Sequence, residues 1–150
     1  MISDGVLDAM HAALAAASAA LAVPELRRNE TLDSALEAVD ADASAWANFV
    51  DGDLERIDQS LGGGFDYELR QTAIVEIVVH AATDAERRAT LAAIVNAYVS
   101  AIEADPTLGD TVSLWEIVEL QRDNLAETGV PNIKGATLTI AAEFIADRPV

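Results

Sequence analysis

The 150-residue chain contains no cysteine, and lysine occurs once, as Lys134. Without cysteine there is no disulfide scaffold, no thiolate metal site and no cysteine nucleophile. Basic residues are scarce: nine Lys and Arg stand against 26 Asp and Glu, for a net charge of −17. Nucleic-acid affinity rests on Lys and Arg displacing counterions from phosphates, so a surface this acidic argues against direct, sequence-specific nucleic-acid binding. The same sign opposes docking on an anionic membrane face. No run reaches the roughly 18 apolar residues of a membrane span. The Ala-rich stretch from Met1 to Leu21 has no basic n-region and is interrupted by Asp4, Asp8 and His11, unlike a signal peptide. The expectation is a soluble protein made in the cytoplasm.

Apolar residues are plentiful. At 51% hydrophobic and 23% charged, the chain has material for one core, read as a single domain over residues 1–150. Ile2, Val6, Met10, Leu14, Ala17 and Leu21 recur at helical spacing, with Asp4, Asp8, His11 and Ser18 on the other side. Pro24 ends that helix. Glu25 to Arg28 reads as a short strand, and Thr31 to Val39 is open between a helical turn and an acidic loop.

From Ser44 the period changes to two. Trp46–Val50 and Leu54–Leu61 read as two strands joined at Asp51-Gly52, a dipeptide favoured in hairpins. Gly62-Gly63-Gly64 forms the next turn, before a long alternating strand from Phe65 to Val79. Its length calls for either a bulge or a protruding arm. Thr83-Asp84-Ala85-Glu86 is a capping box opening a helix with Leu91, Ile94, Val95, Tyr98, Val99 and Ile102 on one face. Asp105-Pro106 ends it, and strands follow at Val112–Leu120 and Lys134–Ile145. The predicted order is α-β-β-β-β-α-β-β. That is an α+β fold, with a mainly antiparallel sheet of five to six strands and two helices on one face.

Chemistry is sparse. His11 and His80 have no metal-ligand spacing, and read as surface or hydrogen-bonding residues. A calcium loop begun at Asp51 puts Arg56 and Gly62 where a glycine and a glutamate are required, so the match fails. Gly62–Gly64 lacks the following lysine of a phosphate loop. Trp46 and Trp115 read as core or interface anchors rather than stacking platforms. No catalytic, cofactor-binding or metal residue is predicted, and the expectation is a non-enzymatic protein that assembles through sheet edges and loops.

Several short motifs carry a resemblance. Ala101 to Gly109 holds a helix end followed by a D-x-T-L-G turn, Asp105-Pro106-Thr107-Leu108-Gly109. Arg27-Arg28-Asn29 follows the first helix, Glu68–Val79 precedes the second, and Gly129-x-Pro131 and Lys134-Gly135-Ala136 lead into a strand ending Phe144-x-x-Asp147. Together these resemble the tail terminator proteins of long-tailed bacteriophages, the gpU-like family. Pro106 and Asp110 depart from that pattern, where a basic residue and a second glycine are expected.

The resemblance implies a homo-oligomeric ring, usually a hexamer, that caps the tail tube, stops its polymerisation and presents a surface to head-completion or neck proteins. It places the protein in the virion tail at the neck, with DNA sliding through an acidic lumen. On this reading Gly62, Gly63, Gly64 and Phe65 are the candidate tube-contact hairpin. Asp105, Pro106, Thr107, Leu108 and Gly109 are the candidate subunit-interface turn. The alternatives are another neck or minor tail subunit, an acidic salt-adapted α+β binding domain, and a small transferase.

Overall fold

A computed structural model describes residues 2–20, 24–31, 33–34, 45–60, 66–123 and 132–148. The elements are α1 (Ile2–Ala20), β1 (Leu26–Arg28), β2 (Ala45–Ser60), β3 (Asp66–His80), α2 (Asp84–Ala104), β4 (Leu114–Asp123) and β5 (Ile133–Ala146). The five strands form one sheet in the order β1-β2-β3-β5-β4. All neighbours pair antiparallel except β1 and β2, which are parallel. This is the expected α+β architecture. Most of the Thr31–Val39 stretch lies outside the described residues.

β3 occupies the middle of the sheet because its alternation serves two partners at once. Leu69, Ala73, Val75, Ile77 and Val79 point to one face and are buried. They meet Ala47 and Phe49 of β2 and Leu138, Ile140 and Ala142 of β5 in a single cluster. α1 contributes Val6, Leu7, Met10 and Leu14 to that cluster, and α2 contributes Leu91, Ile94, Tyr98 and Ile102, so both helices cover the same face. Each fully buried large aliphatic side chain is worth roughly 1.5–3 kcal/mol.

The long strand is not an arm. β3 is paired along its length to β2 on one side and to β5 on the other, from Tyr67↔Ala146 to His80↔Ile133. The irregularity sits on its neighbour: β2 shifts register against β3 between Asp51 and Leu54, and again between Arg56 and Asp58.

The first shift corrects the hairpin expected at Asp51-Gly52, for the two predicted strands are one strand, Ala45–Ser60. A turn-forming dipeptide also suits a β-bulge, where an extra residue bends a strand without reversing it. The bulge is held by Gln71, buried within β3, whose amide nitrogen lies 3.0 Å from Gly52 O, 3.2 Å from Asp53 O and 2.9 Å from Thr72 O. Thr72 Oγ1 accepts from Asp53 N at 3.1 Å.

α1 is rotated relative to the expected stripe. Ile2 is exposed, while Ser18, placed on the polar side, is 1% exposed. Its hydroxyl is 3.1 Å from the Tyr98 hydroxyl of α2, so the pairing of two polar groups permits the burial. Burial raises the Tyr98 pKa, against the opposing hydrogen bond from Ser18. α2 begins as predicted: Thr83 adopts an extended backbone and its Oγ1 accepts from Glu86 N at 3.2 Å.

The close packing at the bulge predicts a sharp test. A Cβ on Gly52 would lie 2.5 Å from Thr72 O, a backbone atom that cannot swing aside. Gly52→Ala is expected to cost about 1–3 kcal/mol, and Gly5→Ala, which meets nothing within 4 Å, to be tolerated. Denaturant midpoints of the two variants check this.

Candidate assembly surface

Two regions combine geometry with charge: a polar clamp at the β1 edge, and a groove between α2 and the opposite edge.

Arg28 ends β1 and reaches across to α1 and β2. Its Nε and one terminal nitrogen donate to Asp51 at 2.9 and 3.1 Å, and the other donates to Asp8 Oδ1 at 2.6 Å. The guanidinium carbon lies 5.9 Å from the centre of the Phe49 ring. Asn29 follows in a left-handed conformation, φ 53°, donating its backbone N–H to Phe49 O and accepting Asp51 N–H on its side chain. His11 stands beside this clamp, with Nε2 3.2 Å from Leu26 O and its ring edge-on to Phe49 at 5.5 Å. These contacts make His11 a packing and hydrogen-bonding residue.

The Arg28 hydrogen bonds hold Asp51 below the usual carboxylate range, against the upward push of partial burial. A depressed folded pKa contributes stability above the unfolded value of about 3.9, and that contribution fades as pH falls through the folded value.

The Asp105–Gly109 turn is built into the end of α2. Asp105 Oδ1 accepts from Gly109 N at 3.0 Å, and its carbonyl accepts the Trp115 indole N–H at 2.6 Å. Leu108, Gly109 and Asp110 all have positive φ, at 49°, 61° and 64°. Leu108 is buried in the core, while Asp105, Pro106 and Gly109 are exposed and Thr107 is half-buried. Leu108 and Trp115 therefore anchor the turn, and the rest of it faces outward. The other candidate, Gly62, Gly63, Gly64 and Phe65, lies outside the described residues, in the five-residue connection that joins Ser60 of β2 to Asp66 of β3.

The groove was not visible in the sequence. It is a cavity of about 550 Å³, walled by Leu91, Ala92 and Val95 of α2 and Leu120 of β4. Arg88, Arg122 and Lys134 line it, so three of the nine basic residues, including the one lysine, converge from three elements. Arg88 Nε lies 2.8 Å, and Lys134 Nζ 3.5 Å, from Asp84 carboxylate oxygens. Despite partial desolvation, the Lys134 and Arg88 charges hold Asp84 below its ordinary pKa. Arg122 has no side-chain partner among the described residues. A smaller cavity of about 220 Å³ continues along the helix–strand seam, where Glu103 and Glu116 reverse the sign.

The sheet face away from the helices is divided. Trp46, Asn48, Val78 and Ile133 are buried there, near the His80 end of β3. Asn48 is fully satisfied by Glu30 backbone groups and Glu76, whereas the Trp46 indole nitrogen has no partner among the described residues. At the other end, Ile145 and Leu114 are 67% and 44% exposed. Asp58, Glu68 and Ile145 form one row across β2, β3 and β5. Glu55, Arg70, Glu143 and Leu114 form the next, with Arg70 and Glu143 paired at 2.6 Å.

Among the described residues, no group of three or more His, Asp or Glu side chains gathers to hold a metal ion, and no helix is long and apolar enough to cross a membrane. Against known proteins, the chain matches no family model and no curated sequence.

Asp51→Asn removes the charge from the clamp but keeps its shape. The expected loss is about 1–2 kcal/mol near neutral pH, since the pair is partly solvated. Urea titrations at several pH values should show the wild type losing part of its advantage over the variant below about pH 4.

Proposed function

We propose that this protein is a structural, non-enzymatic subunit of a phage tail, a terminator that forms a ring on the end of the tail tube. The ring stops tube polymerisation and offers its other side to a head-completion or neck protein. The observation that carries this reading is the run from β3 through α2 into the Asp105–Gly109 turn. There the stretches that resemble the terminator family are the body of β3, Glu68–Val79, and the turn at the end of α2, with Asp105 closing the turn through its side chain and carbonyl.

An unpaired outer edge on β4, among the described residues, with Leu114, Val118 and Leu120 exposed, supports an assembling subunit. Gly62, Gly63, Gly64 and Phe65 are the proposed tube contact. Asp105, Pro106, Thr107 and Gly109 are the proposed outward part of a subunit interface. High negative charge suits a lumen through which DNA slides without sticking. The protein is made in the host cytoplasm and ends at the virion neck.

The test is co-assembly with the tail-tube subunit of the same phage. Light scattering after size exclusion and electron microscopy should find ring-sized particles, or particles on tube ends, and tubes that no longer elongate. Tubes that grow unaffected and carry no bound protein would overturn the reading. A stability that climbs steeply in molar salt, without rings, would favour the salt-adapted binding domain.

A further inference from the structure

We propose that the cationic α2–β4 groove is the receiving half of a head-to-tail contact between two copies of this chain. The inserted half is the acidic patch around Ile145. This deepens the ring reading and rests on it for closure of the assembly.

The groove has an apolar wall and three cations in a protein of net charge −17. The patch has the inverse character. Ile145 and Leu114 are exposed and apolar, and Asp58, Glu55 and Glu68 are exposed carboxylates near them on the same face. Arg70 is the cation among them, and it is already paired with Glu143. An apolar anchor ringed by carboxylates suits an apolar groove ringed by cations.

The two halves cannot meet within one molecule. Lys134 and Ile145 lie near opposite ends of β5, roughly 36 Å apart at the rise of an extended strand. The groove opens beside the helices, and the patch lies on the reverse face of the sheet. Contact is therefore possible only between copies, and because the surfaces differ it is heterologous, the kind that closes into rings or runs on as filaments.

Whole-molecule repulsion between two acidic copies does not forbid this. At physiological ionic strength the screening length is about 8 Å, so distant charges are muted while touching pairs still attract. Arg122 is the cation to watch, since Arg88 and Lys134 share Asp84 within their own molecule.

The experiment uses the full chain at physiological salt, with association followed by sedimentation up to millimolar concentration. Wild type is expected to self-associate. Arg122→Glu and Glu68→Arg, both at exposed positions, should each weaken association about tenfold or more. An equimolar mixture of the two should recover it, because each variant then offers its altered surface to a complementary one. Circular dichroism checks that both remain folded.

A wild type that stays monomeric throughout overturns the proposal, as does association that neither variant weakens or that mixing fails to restore. Recovery on mixing, by a protein that ignores tail tubes, would sustain the contact and overturn the terminator reading. Tube capping that neither substitution disturbs would do the reverse.

Discussion

The buried face of β3 is the floor on which the structure rests. Its alternation turns Leu69, Ala73, Val75, Ile77 and Val79 toward both helices while the backbone bonds to β2 and β5. α1 and α2 meet over that floor, where Ser18 and Tyr98 join them by a buried hydrogen bond. Because both helices lie on one side, the reverse face and the outer edge of β4 must answer to other demands. The distribution of charge follows from this. Arg28 ties the β1 edge to α1 and β2, Arg70 is paired on the reverse face, and the groove at the far edge collects three of the remaining cations.

A strongly acidic chain thus carries local charge of the opposite sign where a helix leaves an edge strand partly uncovered. Arg88 comes from the first turns of α2, Arg122 from the end of β4 and Lys134 from the start of β5. The order β3-β5-β4 brings the last two onto adjacent strands, with Arg122 opposite Ala136 in the ladder. A net charge of −17 keeps free copies apart in solution. A contact that needs a particular surface on each partner then gains specificity from the same charge that opposes unspecific clustering.

Much of the architecture was legible in local pattern. The period-two run to Val79, the capping threonine at Thr83 and the stop at Asp105 are signals set by neighbours in sequence, and each appears in the fold. The errors fall where distant partners decide. Asp51-Gly52 has the chemistry of a hairpin or a bulge, and Gln71, about twenty residues away, selects the bulge. Ser18 looked polar and solvated until Tyr98 arrived from α2. Of the two candidate surfaces, the turn at Asp105–Gly109 could be read from its motif, but the burial of Leu108 could not. The groove had no sequence signal, since its cations are separated by more than ten residues and acquire meaning only through strand order.

The central claim is that different surfaces of two copies meet, and the absence of native cysteine makes this directly testable by cross-linking. Leu120→Cys marks the groove and Ile145→Cys marks the patch, both at exposed positions. Under mild oxidation the account predicts no dimer from either variant alone, a covalent dimer when the two are mixed, and a ladder from the double variant. Ile145→Cys copies that link to one another, or a mixture that yields no dimer, would contradict it.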